Sequence, residues 1–275
     1  MVNMRRALLL WLSCILCVMA QQAAPIPDAT TLLKLVAQHQ RAMDQMRENY
    51  TWRESIVTRT LDKHGQVKKT ESAVVDVFFV NTHEIRRLVQ EDGKDLTPDK
   101  QKKEQQRVMK EVEKAEKTPP GEFLDKNMVS VTQVLSMMKL SHPRREMVDG
   151  RSDLVFDFTG NPHAKTHGVA ENASKKMSGT LWVDEKDMEV RRLVARFDAN
   201  FHLGFGLFSV GKGSNFTFDQ KLVNNELWLP VDAQAHVVAH AFGLVGYRAD
   251  MTITDNDYRR FHVQTKQAPK VSVVQ

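Results

Sequence analysis

The sequence predicts an α+β protein: one large, curved, mostly antiparallel sheet of about ten or eleven strands, with helices covering its concave face. Three observations predict it. From Tyr50 onward, apolar and polar residues alternate with a period of two, interrupted by short clusters of Asp, Gly, Asn and Lys. Helical spacing is confined to three stretches. Every connection between predicted strands fits a hairpin or a short excursion, which favours antiparallel pairing. A sheet of that many strands tends to curl.

The clearest unit is Ser178–Asp198. Leu181 and Val183 alternate with Thr180, Trp182 and Asp184, and a second apolar arm, Val190 to Phe197, is laced with Arg191, Arg192 and Arg196. Glu185-Lys186-Asp187 between them has turn composition. Such a hairpin is marginal alone and needs neighbouring strands and apolar cover.

The elements follow in order. Residues 1–20 read as a secretion signal: Arg5 and Arg6, an apolar run from Ala7 to Met19, and small residues ending at Ala20, after which cleavage is expected. The run is shorter than the roughly 20 residues of a spanning helix. Cys14 and Cys17 both lie in poor lipoprotein contexts, which disfavours lipid anchoring. Both cysteines would leave with the signal, so an exported chain without disulfides is expected, held by its core and suited to a periplasm. The remaining 37 basic and 34 acidic side chains are interleaved, which argues against nucleic acid as a partner.

Residues 21–29 form an entry segment, and 30–263 are expected to form a single domain. Thr30 or Thr31 is the expected cap of a helix reaching about Asn49, with Leu32, Leu33, Val36, Met43 and Met46 near helical spacing. Strands are expected at Tyr50–Leu61, Val67–Val80 and His83–Gln90. Thr97-Pro98-Asp99 starts a charged helix ending near Lys117, capped by the Thr97 hydroxyl. It reads as a solvated surface helix or, more sharply, a lid over an opening. Phe123 to Leu140 is the most apolar helical stretch, expected to lie buried against the sheet.

Arg144–Val148 and Leu154–Thr159 flank the turn dipeptide Asp149-Gly150. Asn161–Lys176 is expected to be a loop or short helix. Beyond the central hairpin, strands are expected at Gly211–Phe218, at Val223–Leu229 stopped by Pro230, and at Val231–Ala241 and Leu244–Thr254. Asp255–Tyr258 should turn, Arg259–Val263 should close the domain, and 264–275 should be a flexible tail.

Chemical motifs are sparse. His236 and His240 would share a helix face, but they follow Trp-Leu-Pro in a predicted strand, where four residues span about 13 Å, too far for one ion. His163 and His167 lie in a loop without an HExxH context. Gly206–Gly213 approaches a phosphate loop, yet Gly213 stands where Ser or Thr is required. It reads better as a glycine-rich hairpin tip. No GxSxG elbow is present. Neither a metal site nor a cofactor is expected, and the chain is read as a non-enzyme.

Gly179-Thr-Leu-Trp-Val-Asp184 followed by Glu189-Val-Arg-Arg192, the meander Tyr50 to Gln90 and Leu227-Trp-Leu-Pro230 resemble the bacterial outer-membrane lipoprotein-sorting and carrier superfamily, which includes LolA-like carriers, LolB-like receptors and RseB-like regulators. The resemblance covers roughly residues 30–262; the charged helix 97–117 departs from it. It implies an unclosed half β-barrel whose helix-covered concavity holds acyl chains, and hence a periplasmic carrier or sensor of lipid, lipoprotein acyl chains or another hydrophobic ligand. Envelope proteins and the membrane surface are the further partners it implies. Phe123, Met128, Val131, Leu135 and Met138 are expected to form one cavity wall, and Phe156, Phe158, Trp182, Phe216, Phe218 and Trp228 the other. For each, packing in a closed core is the competing reading. An interaction module with a filled core, or a hydrolase with a dispersed site, are the competing functions.

Overall fold

A computed structural model describes residues 24–125, 131–166, 168–203, 208–241 and 245–261. The expected signal, the tail 264–275, Met128, His167 and the tip 204–207 lie outside the described residues. The chain runs α1 (Ala29–Arg47), β1 (Tyr50–Leu61), β2 (Val67–Val80), β3 (His83–Glu91), β4 (Lys94–Asp95), α2 (Pro98–Lys117), α3 (Val131–Ser136), β5 (Met138–Val148), β6 (Arg151–Gly160), α4 (Val169–Ser174), β7 (Met177–Asp184), β8 (Glu189–Phe197), β9 (Phe201–Leu203), β10 (Phe208–Val210), β11 (Asn215–Val223), β12 (Leu227–Ala241) and β13 (Val245–Arg260). The fold is α+β with one large antiparallel sheet that does not close. Its order is β4-β3-β2-β1-β13-β12-β11-β8-β7-β6-β5, with β9 and β10 joined to β12.

The cap of α1 is Asp28 rather than Thr30 or Thr31. Its carboxylate accepts the N–H groups of Thr30 at 2.9 Å and Thr31 at 3.1 Å. A carboxylate one turn earlier satisfies two of the orphan donors at once. Thr97 precedes α2 as expected, but its hydroxyl makes no capping bond.

The charged helix α2 is a solvated surface helix, as expected: most of its side chains are exposed and Ala115 is its buried residue. It runs along β3, whose outer edge is paired with β4 only at Gln90 and Glu91. Glu104 accepts the Leu88 N–H at 2.7 Å, Arg107 donates to the Arg86 carbonyl, and Asn81 donates to the Thr118 carbonyl at 2.8 Å. Polar side chains are what such a helix needs here, because a bare strand edge presents backbone donors and acceptors rather than an apolar surface.

Three expectations are corrected. The apolar stretch 123–140 is not one helix: α3 ends at Ser136, and Met138 and Leu140 open β5, where Leu140 pairs with Phe158. Pro230 does not stop a strand. It lies inside β12 beside a bulge, where Gln220 pairs with Pro230 and Asp219 with Asp232, so its missing N–H interrupts no ladder bond. Asp255–Tyr258 does not turn the chain. It forms a bulge against Trp52, with Asp257 at φ 56°, while β13 runs on to Arg260.

Candidate functional site on the inner face

Directly paired residues in an antiparallel sheet share a face. That rule traces two apolar rows across the face carrying α1. One runs Phe156, Leu181, Leu193, Phe218, Ala233, Ile253, Ile56, Ala73. The other runs Phe158, Gly179, Ala195, Phe216, Ala235, Met251, Thr58. At one side of this inner face, Leu32 and Val36 of α1 and Leu135 of α3 seal Phe156, Phe158, Leu181 and Leu193 into a buried cluster. At the strand ends near Tyr50 and Trp52, Met43 and Met46 of α1 pack onto a second cluster with Val77, Leu227 and Leu229.

Between the two clusters the face stays partly open. Ala233 and Ala235 of β12 form a low floor. Phe218 and Phe216 rise beside it on β11, and Ile253 and Met251 on β13. With Leu193 they line a cavity of about 280 Å³. The cavity follows from residue size alone: two methyl side chains flanked by four large ones leave a trough along the strand direction. Its walls are hydrocarbon, so each methylene of a guest that leaves water for them contributes ~0.8 kcal/mol.

One end of this trough is polar. Glu54 and Asp255 lie one inward-facing position beyond Ile56 and Ile253, directly opposite each other, at 3% and 4% exposure. Glu54 Oε1 and Asp255 Oδ1 are buried without a hydrogen-bond partner. Burial pushes the Glu54 carboxyl up to about 7; Arg86, 3.2 Å from Glu54 Oε2, opposes the rise, while Asp255 and Glu84 add to it. Burial likewise pushes Asp255 up to about 6. Nothing in the sequence reading pointed to this pair. A charged residue at an inward position of each strand was the available signal.

The sequence-predicted wall residues divide. Phe216 and Phe218 line the cavity. Phe156, Phe158 and Leu135 are sealed in the adjoining cluster, with Met138 packed against it. Phe123 is exposed, and Val131 sits in the first turn of α3. Trp182 and Trp228 point to the other face. Trp182 pairs with Arg192, which stacks on its ring at 5.7 Å, and its indole N–H donates to Glu146 at 2.9 Å. Trp228 lies beneath the guanidinium groups of Arg151 and Arg191, and its N–H donates to Asp187 at 2.9 Å.

The motif residues around the central hairpin make a polar staple. Asp184 accepts the N–H groups of Lys186 and Asp187 and a charge-assisted bond from Arg151 at 2.7 Å. Burial pushes the Asp184 carboxyl up, but Arg151 and the turn N–H groups outweigh it and hold the group below its ordinary range. Glu189, fully buried, meets His39 at 3.0 Å and Gln40 at 3.2 Å, tying α1 to the hairpin. His236 and His240 both lie on β12, and His236 Nδ1 contacts Asp250 at 2.6 Å. Among the described residues no group of three or more His, Cys, Asp or Glu side chains is placed to hold a metal ion.

The fold is similar to several solved structures. A domain assigned to outer membrane lipoprotein sorting from Vibrio parahaemolyticus is 13% identical, with 88% of this chain and 96% of that chain covered and a TM-score of 0.41. A DUF1329 family protein from Desulfovibrio piger is 9% identical, with 86% and 94% covered and a TM-score of 0.39. A LolA superfamily protein from Nitrosomonas europaea is 12% identical, with 86% and 96% covered and a TM-score of 0.31. No family model and no curated protein matches the sequence.

Proposed function

We propose that the protein is an exported, periplasmic carrier or sensor that holds the hydrocarbon part of a lipid, or of a lipoprotein's acyl chains, against the inner face of its sheet. The observation that carries this reading is the alanine-floored cavity between the two sealed clusters. Apolar packing is complete on both sides of it, and a chain assembled only for stability would fill the trough with larger side chains. Phe216, Phe218, Met251 and Ile253 are the contact residues in this reading. The buried Phe156, Phe158 and Leu135 act as the rigid wall behind them. No catalysis is part of it.

The test is recovery of the ligand. Protein purified from its own export compartment is extracted with organic solvent and the extract measured by mass spectrometry. Acyl species near one per protein are expected, and delipidated protein should rebind a fluorescent fatty acid. A clean extract together with no rebinding would replace the carrier with an interaction module that has no guest.

A further inference from the structure

A second cavity lies at the rim of the same face. We infer that it is the headgroup site for an anionic amphiphile whose tail runs down the inner face into the apolar trough; this rests on the carrier reading. The cavity, about 440 Å³, is bounded by Lys175, Lys176 and His202 together with Val169, Phe201 and Asn172. None of its described lining residues is acidic. The Asn172 amide accepts from Thr166 and donates one N–H to the Gly168 carbonyl, so its second N–H, the two lysines and His202 are the donors at hand for a guest. The backbone that carries the lysines is fixed: Lys176 donates its N–H to the Ala173 carbonyl at 2.9 Å, and its own carbonyl accepts the Asp198 N–H at 2.8 Å. Val169 is more than half exposed, which leaves apolar surface beside the cations.

The two cavities are joined by register. Ala235, Val237 and Ala239 face inward in turn along β12, over roughly 13 Å. Ala239 pairs with Val210, and Val210 with Phe201, so the inner face continues from the trough to Phe201 in the wall of the basic cavity, while His202, paired with Ser209, borders that cavity from the other side of the short edge strand β9. Ala235 and Ala239 leave the sheet surface low at two points of this apolar path, and Val237, Val210 and Phe201 continue it as hydrocarbon. The trough's far end carries the buried carboxyl groups of Glu54 and Asp255. An anionic headgroup is thus attracted at one end and disfavoured at the other, which sets a single orientation. Two lysines favour carboxylate and phosphate alike, so the chemistry names an anion and not its source.

Three probes with the same tail decide it: dodecyl phosphate, dodecanoate and dodecanol, each titrated below its micelle concentration at mildly alkaline pH. The two anions should bind the unaltered protein about tenfold tighter than the alcohol. A variant carrying Lys175→Ala, Lys176→Ala and His202→Ala, all at a solvent-accessible rim, should bring the anions to the level of the alcohol and leave the alcohol unchanged. Preference for dodecyl phosphate alone supports the site and narrows its headgroup to a phosphate ester. Equal binding of all three, or a preference that survives in the triple variant, overturns the headgroup site while sparing the carrier. Failure of all three to bind overturns both.

Discussion

Glu54 and Asp255 face each other across the β1–β13 ladder, both almost wholly buried, each with an oxygen lacking a partner. Their carboxyl groups are raised from 4.5 to about 7 and from 3.8 to about 6, with burial the largest cause in both. The folded state therefore holds protons that the unfolded chain releases. Stability contributed here is greatest below about pH 4 and falls as pH rises through about 7, the reverse of the depressed carboxylates Asp184 and Glu185. Glu54→Gln should stabilise the protein above neutral pH by on the order of 2–3 kcal/mol and flatten the pH dependence between about 4 and 7. Urea unfolding across that range measures both; identical curves for variant and parent would show that the carboxyl is not the cause.

Gly179 lies beneath the Phe158 ring. A Cβ there would come within 1.9 Å of the Val194 carbonyl oxygen and 2.5 Å of Phe158 Cζ. The nearer atom is backbone in a paired strand, so no side-chain rotation relieves the clash. Gly179→Ala should cost ~2–3 kcal/mol. Gly168 meets no atom within 4 Å, and Gly168→Ala is the control expected to stay within about 0.5 kcal/mol. Equal melting temperatures for the two variants would refute the close approach.

The trough predicts a separation of binding from stability. Ala235→Phe places a ring over the floor between Phe216 and Met251, where there is space for it. It should weaken fatty-acid binding at least tenfold while changing unfolding free energy by less than about 1.5 kcal/mol. Fluorescence titration beside denaturant unfolding tests this. Undiminished binding would move the ligand elsewhere on the chain.

Much of the architecture was legible because strand period and turn chemistry agree along most of the chain. Asp149-Gly150 marks its hairpin and has both residues at positive φ, 48° and 77°. What was not legible depends on neighbours far away in sequence. Pro230 and Asp257 carry stop and turn signals, yet each is absorbed by a bulge that only the adjacent strand reveals. Met138 and Leu140 continue an apolar run without a deciding period, and pairing with Gly160 and Phe158 makes them strand. Trp182 alternates with Leu181 and Val183, so the period itself places the ring on the opposite face. Size suggested a cavity wall, but Arg192 and Glu146 supply a surface setting for the indole. The trough was least visible, since it is made by the absence of bulk at Ala233 and Ala235.

The contacts of α2 with β3 predict what happens when the sheet's edge is uncovered. Glu104 takes up the Leu88 N–H and is itself held below its ordinary range, chiefly by its hydrogen bonds to Arg107. Arg107 in turn reaches the Arg86 carbonyl. Replacing both, Glu104→Ala with Arg107→Ala, removes the side chains that occupy one backbone donor and one acceptor of β3, while the helix keeps its buried Ala115 anchor and the polar bonds from Asn81 and His83 to Thr118. An edge so exposed is a template for a strand from another molecule. Light scattering on the double variant should show concentration-dependent association, with a stability loss of only ~1–2 kcal/mol from the missing bonds. A single-residue control at Lys110, which faces solvent on the same helix, should leave the scattering unchanged. If the double variant scatters like its parent at every concentration, these two side chains are not what protects the edge.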